Sequence, residues 1–191
     1  MRNTFVLFCL ITMTAGCGIQ SIPTAKNQID ADFSELTNQY KRRSDLIPNL
    51  VKVVKGVAEF ERETLTGVVN ARAKATSVQL SPDTSPEKLV EFQKAQGQLS
   101  QALGRLMMVS ERYPNLKANQ NFLDLQSQLE GTENRIAVAR KRYIEAIKIF
   151  NNLVTVPPSS FTNSLVYKHD KMAQWTVPNV EEVKEVPKID F

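Results

Sequence analysis

The chain has 191 residues, 42% of them hydrophobic and 23% charged, which fits one folded domain or two small ones and excludes a multi-span membrane protein. The 24 Lys and Arg against 20 Asp and Glu leave a net charge of +4, which is too small and too mixed to predict a nucleic-acid partner. One histidine, two cysteines and the lack of a Gly-rich loop are not typical of metal, thiol or phosphate chemistry. We therefore predict no cofactor, no metal site and no catalytic residue.

The N-terminal residues have the pattern of an export signal. Arg2 precedes a mostly apolar run over residues 4–13, which is too short to cross a bilayer, since a spanning helix needs about 20 apolar residues. Thr14-Ala15-Gly16-Cys17 follows and resembles the lipobox of bacterial lipoproteins, with Thr14 in place of the usual leucine. By that resemblance residues 1–16 are a signal peptide, Cys17 is acylated, and residues 17–23 form a lipidated tether. An ordinary secretory signal with an accidental cysteine is the alternative.

The cysteines and Gly18 bear on localisation. Cys9 would leave with the signal and Cys17 would carry lipid, so the mature body would hold no thiol and no disulfide. Two or three acyl chains hold a protein durably at a membrane, whereas one does so only marginally. Because Gly18 rather than an aspartate follows the cysteine, resemblance to Gram-negative lipoproteins predicts the outer membrane, facing the periplasm, in a host with two membranes.

Proline placement divides the rest of the chain into four amphipathic segments, because proline breaks helix interiors. The segments cover residues 24–43, 46–78, 86–110 and 116–153, and the short connections predict antiparallel neighbours. We therefore predict an all-α fold, an antiparallel up-and-down four-helix bundle over residues 24–154, followed by an irregular, extended tail over residues 155–191. A single kinked helix through Pro48 is the main alternative to a break there.

Each segment carries an apolar seam with the three- and four-residue spacing of a core-facing helix. In chain order the predicted seam residues are Ile29, Phe33, Leu36 and Tyr40; Leu46, Leu50, Val53, Val57, Phe60, Val68, Ala71 and Val78; Leu89, Phe92, Gln96, Leu99, Leu103, Leu106 and Tyr113; and Phe122, Leu125, Leu129, Thr132, Ile136, Ala139, Tyr143, Ala146, Phe150 and Leu153. Lys117 and Gln128 are predicted to lie outside the seam. Thr132, as its one polar member on the last segment, is interpreted as fixing helix register.

Local signals refine this picture. Ser85-Pro86-Glu87 predicts a helix start, with a capping serine, proline in the first turn and an acid facing the helix dipole. Gly97 and Gly104 lie one heptad apart, which favours close approach of a neighbouring helix over a hinge.

Few polar residues suggest chemistry. Lys41, Arg42 and Arg43 form the densest basic cluster and are the candidate partner-binding residues, although compensation of a helix dipole explains them as well. Glu133 and Arg140, seven residues apart, predict a surface ion pair. His169 beside Asp170 is interpreted as a solvated histidine of the tail.

Three blocks carry a family resemblance: KRRSDLIPNLVKVVKG at residues 41–56, YPNLKANQNFLDLQ at 113–126 and TENRIAVARKRY at 132–143. In this order and spacing they resemble the LemA family of bacterial membrane-anchored proteins. The resemblance implies a four-helix bundle, no known enzymatic activity and a largely undefined molecular role. Family members commonly carry an N-terminal transmembrane helix where this chain has a lipobox, and Ile144 and Phe150 replace a usual asparagine and tyrosine.

These observations favour a non-enzymatic accessory or scaffold protein of the bacterial cell envelope, which is held to the membrane by lipid on Cys17. The expected partner is another envelope protein, with self-association as a further contact that helical faces allow. The alternative function is a carrier of a small apolar ligand between the helices.

Overall fold

The computed structural model describes residues 19–56 and 61–175, and these residues form helices, turns and extended segments but no strand. The predicted all-α class is therefore confirmed. The helices are α1 (Ser21–Lys55), α2 (Arg62–Ser77), α3 (Pro86–Ser110), α4 (Pro114–Lys117), α5 (Gln120–Thr155) and α6 (Ser159–Thr162), with a π-helical turn at Asn163–Tyr167. The predicted signal peptide (residues 1–16) and Cys17 lie outside the described residues. No helix within the described ranges has the length and apolar character needed to cross a bilayer.

Helix α1 continues through Pro48, so the predicted break between residues 43 and 46 is wrong and the single-helix alternative is right. Proline has no N–H and cannot serve the carbonyl four residues before it, which here belongs to Ser44. Arg72 of α2 donates its Nε–H to that carbonyl at 2.9 Å. A side chain from a neighbouring helix thus supplies the donor that Pro48 lacks.

The predicted second helix, residues 46–78, is divided instead near Gly56. Helix α1 ends at Lys55, with Gly56 as its C-cap and Lys52 and Lys55 in the last turn. Helix α2 then begins at Arg62. The basic residues that compensate the dipole of α1 are therefore Lys52 and Lys55, and the dipole interpretation of Lys41-Arg42-Arg43 is wrong because no helix ends there.

Helices α1 and α5 pack in antiparallel order along their whole length. Near the start of α1, Phe33 meets Tyr143 with ring centroids 5.6 Å apart. Ten residues further along α1, Arg43 pairs with Glu133, ten residues earlier on α5. The buried side chains of both helices belong to two core clusters, one that includes Ile22 to Tyr40 of α1 and one that includes Ile47 to Val54.

Helices α2 and α3 form a second, shorter antiparallel pair. Glu61, just before α2, pairs with Arg112, just after α3. Near the other end, Gln96 donates a hydrogen bond to the carbonyl of Ala75. The pair packs on the long helices through Phe92, whose ring meets that of Tyr40 edge to face at 4.9 Å.

The predicted seams agree closely with the buried residues, apart from Val57 and Phe60, which lie outside the described residues. On α5, Phe122, Leu129, Thr132, Ile136, Ala139, Tyr143, Ala146 and Phe150 are buried, while Leu125 and Leu153 are half-buried. Lys117 and Gln128 are exposed, as predicted. Ser85 caps α3 by accepting a hydrogen bond from the N–H of Lys88. The close approach predicted at Gly97 and Gly104 is wrong, because a Cβ at either position would meet no atom within 4 Å.

The tail is less irregular than predicted and packs on the helices. After α6 and the π-helical turn, residues 168–175 have no regular secondary structure and bring Trp175 into the core. The indole lies edge to face against Phe92 and Tyr143, each at 6.2 Å. Residues 176–191, which include the rest of the predicted tail, lie outside the described part of the chain.

Candidate functional site

Arg43 makes a charged contact between the two long helices. Its side chain is only 4% exposed, and its Nη1 lies 2.8 Å from Oε2 of Glu133, whose side chain is 51% exposed. Its Nη2 donates a 2.8 Å hydrogen bond to Oγ of Ser100 on α3. Arg43 therefore joins α1, α3 and α5 and turns away from solvent, whereas Lys41 and Arg42 are exposed. The predicted partner-binding cluster is split, and only Lys41 and Arg42 are accessible.

Arg140 makes a second polar contact between the same helices. It donates a 3.0 Å hydrogen bond to the hydroxyl of Tyr40, and its guanidinium lies 5.6 Å from the ring centroid of Trp175. Glu133 and Arg140 thus both reach towards α1 residues, so the predicted surface ion pair between them is wrong. The blocks at residues 41–56 and 132–143 meet at the Arg43–Glu133 contact.

Burial is the largest influence on the pKa values of Tyr40 and Arg43, which lie between α1 and α5. It raises the pKa of Tyr40, although the neighbouring Arg140 acts in the opposite direction. It lowers the pKa of Arg43, and the carboxylate of Glu133 opposes that effect. Removal from water thus outweighs the partner charge in both cases. Tyr40 stays neutral. The ion pair with Glu133 stabilises the charged guanidinium of Arg43, which burial disfavours.

A pocket of about 340 Å³ lies beside Arg43. Two donor atoms on its wall, Nε2 of Gln93 and Nε of Arg140, are buried and have no hydrogen-bond partner among the described residues. The charged side chains lining it are Arg43, Arg140 and Glu133, which leaves one positive charge in excess. The pocket is small and suited to a carboxylate or a water cluster.

A larger groove lies where α1 meets α2 and α3, and we call it the basic groove. Its volume is about 540 Å³. Its rim carries Lys41, Asp45 and Arg72, its wall carries Tyr40 and Ser44, and its apolar floor is formed by Val78, Leu80, Phe92 and Leu99. Ser44 is buried, and its Oγ has no hydrogen-bond partner within the described structure. The groove therefore offers cationic and hydroxyl groups above an apolar surface.

A third cavity, the apolar pocket, lies between α1, α5, the α2–α3 loop and residues 169–173. It measures about 550 Å³, and its apolar wall is formed by Phe33, Leu80, Leu89, Tyr143, Phe150 and Met172. Lys26, Asp83 and His169 stand among its polar lining residues. The aromatic side chains of the α1–α5 seam therefore do not fill all the space at this end of the molecule.

The remaining sequence-predicted residues have structural contacts. His169 is half-buried: its ring stacks on Tyr167 at 5.8 Å and lies 5.7 Å from Phe150. Thr132 is fully buried, and its hydroxyl donates to the carbonyl of Gln128. Within residues 19–56 and 61–175 no three His, Cys, Asp or Glu side chains are placed to hold a metal ion.

Comparison with known proteins agrees with the sequence blocks. The LemA family model matches residues 32–191. Protein LemA of Metamycoplasma hominis is 25% identical over 173 residues, covering 87% of this chain and 74% of that protein. Magnetosome proteins MamQ 1 and MamQ 2 of Paramagnetospirillum magneticum are each 26% identical over 156 residues, covering 72% of this chain and 57% of each of them. The chain belongs to the LemA family.

Proposed function

We propose that this protein is a non-enzymatic accessory or scaffold protein of the bacterial cell envelope, with the LemA-type helices arranged as an up-and-down bundle. In this proposal acyl chains on Cys17 hold it to the membrane, in the outer membrane of a host with two membranes. The helical body then lies on the exported side and binds other envelope proteins. The lipobox-like residues before Cys17 and the membership of the LemA family support this function.

The basic groove is the observation that carries the partner-binding part of the proposal. Lys41 and Arg72 at its rim exceed Asp45 by one positive charge and so favour a partner's carboxylate. The apolar floor accommodates a hydrophobic side chain next to that carboxylate. The partner surface we propose is therefore a segment with an acidic residue beside an apolar one. Since a tether raises the local concentration of both proteins, a weak contact of this kind is sufficient for association.

Cross-linking in intact membranes tests this function. A tagged copy of the full chain is cross-linked, and the captured proteins are identified by mass spectrometry. We expect a few envelope proteins to be captured repeatedly, and the Lys41→Glu/Arg42→Glu variant to reduce their yield severalfold. Arg43 must be left intact, because a glutamate there would place a second carboxylate beside Glu133 in a buried position.

The chain offers a matched control. Lys141 and Arg142 repeat the same dipeptide on α5, and both are exposed. The Lys141→Glu/Arg142→Glu variant changes the net charge equally and should leave the yield unchanged. An equal loss in both variants would assign the effect to net charge. Capture of the monomer alone, together with reproducible turnover of an envelope substrate by the purified protein, would refute the scaffold.

Anchoring is tested separately through Cys17. Cys17→Ser should abolish fatty-acid labelling and leave the precursor unprocessed, because the acylated cysteine is the processing site of a lipoprotein. Normal labelling or maturation of this variant would show that the lipobox interpretation is wrong. Recovery solely with the inner membrane of a two-membrane host would contradict the proposed sorting to the outer membrane.

The apolar pocket supports the second candidate function, a carrier of a small apolar ligand between the helices. Leu89 lines the pocket, whereas its neighbour Val90 is 44% exposed and is not among the lining residues. If the pocket binds such a ligand, an apolar fluorescent probe should bind the unmodified chain and the Val90→Trp variant equally. Leu89→Trp, which fills the pocket, should abolish that binding. Equal binding by all three proteins would exclude the pocket as the site.

A further inference from the structure

The turn after α5 exposes an unusual number of large apolar side chains. Leu165 is 81% exposed, Phe161 64%, Val166 60% and Val156 53%. These four residues fall within eleven positions of the chain. Soluble surfaces expose single hydrophobic residues routinely, but a contiguous group marks an interaction site. We call this group, together with Ile19, the apolar end patch.

The turn that presents the patch is held in place by polar contacts on its inner side. Asn163 is buried, and its Nδ2 donates to the carbonyls of Val154 and His169. Its Oδ1 accepts from the N–H of His169 at 3.0 Å. Phe161 and Leu165, four residues apart, lie on the side of the turn opposite to Ser159 and Asn163, which are buried. Their exposure follows from an ordered turn whose inner side is already occupied.

A hydrogen bond brings the N-terminal end of the described chain to the same place. The hydroxyl of Tyr167 donates to the carbonyl of Ile19 at 2.6 Å. Ile19 is itself 53% exposed. Cys17 stands two residues before it, and the apolar run of residues 4–13 stands before that. The apolar end patch is thus formed where the chain arrives from its N-terminal segment.

We propose that the apolar end patch is a membrane-contact surface, in which Phe161, Leu165 and Val166 enter the boundary between lipid headgroups and acyl chains. The proposal rests on the N-terminal attachment proposed above, because that attachment turns this end of α1 towards the bilayer. Apolar side chains on an ordered turn bind an interface in proportion to their buried area, and a nearby tether strengthens their contribution. Lys168 and Lys171 are exposed beside the patch and suit anionic headgroups, with Asp170 between them.

This contact orients the molecule. Helix α1 has 35 residues and is therefore about 50 Å long at 1.5 Å per residue. With the patch at the bilayer, α1 and α5 stand away from the membrane, and Lys41 lies roughly 30 Å from it. The basic groove then faces the space in which another envelope protein moves, and a second attachment point restricts the tumbling that a lipid tether alone permits.

Tryptophan quenching in vesicles tests the proposal on the full chain. The protein is reconstituted in vesicles of phosphatidylglycerol and phosphatidylcholine brominated on its acyl chains. Trp175 is the one native tryptophan and is buried, so it gives a constant background. In the Phe161→Trp variant we expect bromine quenching to exceed that of the unmodified chain by at least about twofold, since the new indole enters the acyl region.

Val138→Trp is the matched control. Val138 is 53% exposed, close to the value for Phe161, but it lies about 25 Å along α5 from the patch. It should show no quenching above background. Equal quenching in the two variants would overturn the proposal. A blue shift of Phe161→Trp that grows with protein concentration and needs no vesicles would also overturn it, because a second copy of the chain would then cover the patch.

The quenching experiment distinguishes failure of the apolar end patch from failure of the proposed lipid anchor. The acyl chains on Cys17 are detected by mass spectrometry of the same samples. An acylated protein that floats with vesicles without selective quenching at position 161 would refute the patch and leave the anchor intact. Selective quenching in a protein that carries no lipid on Cys17 would refute the anchor and leave the patch, since the N-terminal apolar run then holds the chain at the bilayer.

Discussion

Arg72 Nε donates a 2.9 Å hydrogen bond to the carbonyl of Ser44. In an uninterrupted helix the carbonyl of Ser44 accepts a hydrogen bond from the N–H of the residue four positions later. That residue is Pro48, which has no N–H. The short pair of helices therefore completes the hydrogen bonding of the long one. This contact also fixes Arg72 at the rim of the basic groove, above the apolar floor.

The Arg72–Ser44 contact predicts a coupling between Arg72 and Pro48. Arg72→Ala should lower the free energy of unfolding by about 1–2 kcal/mol, because a buried carbonyl loses its charged donor. In a Pro48→Ala background the new N–H can serve Ser44, so the same change should cost about 1 kcal/mol less. Urea unfolding of the four proteins of this cycle measures the difference. Lys74→Ala, an exposed change on the same helix, should have the same small effect in both backgrounds, and an equal cost of Arg72→Ala in both would contradict the compensation.

Local sequence alone could not show that α1 continues through Pro48. Proline inside a helix is costly, and Arg72, which offsets the cost, lies on another helix, 28 positions after the Ser44 carbonyl that accepts its hydrogen bond. The end at Gly56 was missed, although Lys52, Lys55 and a glycine are typical of a helix terminus and were an available signal. The seams were predictable because one buried face of a helix places apolar residues at three- and four-residue spacing, whatever the helix packs against.

The ion pair between Arg43 and Glu133 predicts that loss of the carboxylate lowers the stability of the fold. Glu133→Gln leaves the Arg43 cation buried without its carboxylate, so it should lower the free energy of unfolding by about 1–3 kcal/mol. The lower half of that range is favoured, because Glu133 is half-exposed and water screens the pair. Glu91→Gln, at an exposed position of α3, should change stability by less than about 0.5 kcal/mol. Similar unfolding midpoints for the two variants would show that the pair contributes little.

The burial of Arg43 is the part of the site that sequence reasoning missed. Charge alone placed it with Lys41 and Arg42. Its position, three residues after the buried Tyr40 and four before the buried Ile47, continues the seam of α1 and was the available signal. The partner charge on Glu133 lies 90 residues later and becomes its neighbour only through the antiparallel packing of α1 and α5. The pockets depend on the same packing and have no local signature.

Leu125 and Leu129 give a test of the register of α5. Leu129 is buried at 7% exposure, whereas Leu125 is half-buried and can move a new carboxylate towards water. Leu129→Asp should therefore destabilise the fold by several kcal/mol, and Leu125→Asp by clearly less. Lys117→Ala, at an exposed position, should stay within about 0.5 kcal/mol of the unmodified chain. Thermal midpoints in the reverse order for the two leucines would mean that another face of α5 is buried.

Alkaline pH should weaken the fold through Tyr143. Burial, followed by the charges of Asp83 and Asp30, raises the pKa of its phenol from 10.0 to about 12. Between these values the unfolded chain loses the phenol proton while the folded chain keeps it, so the free energy of unfolding must fall as pH rises through that window. Below pH 10 both states are protonated and this group causes no pH dependence.

The change that isolates this effect is Tyr143→Phe, which removes the ionising group and keeps the ring that packs on Phe33 and Trp175. We expect its stability to decline less steeply than that of the unmodified chain between pH 10 and 12. Burial also raises the pKa of Tyr40, so Tyr40→Phe combined with Tyr143→Phe should flatten the decline further. Urea unfolding at a series of pH values measures the slopes. An unchanged slope in Tyr143→Phe would show that its phenol ionises as readily in the folded chain as in the unfolded one.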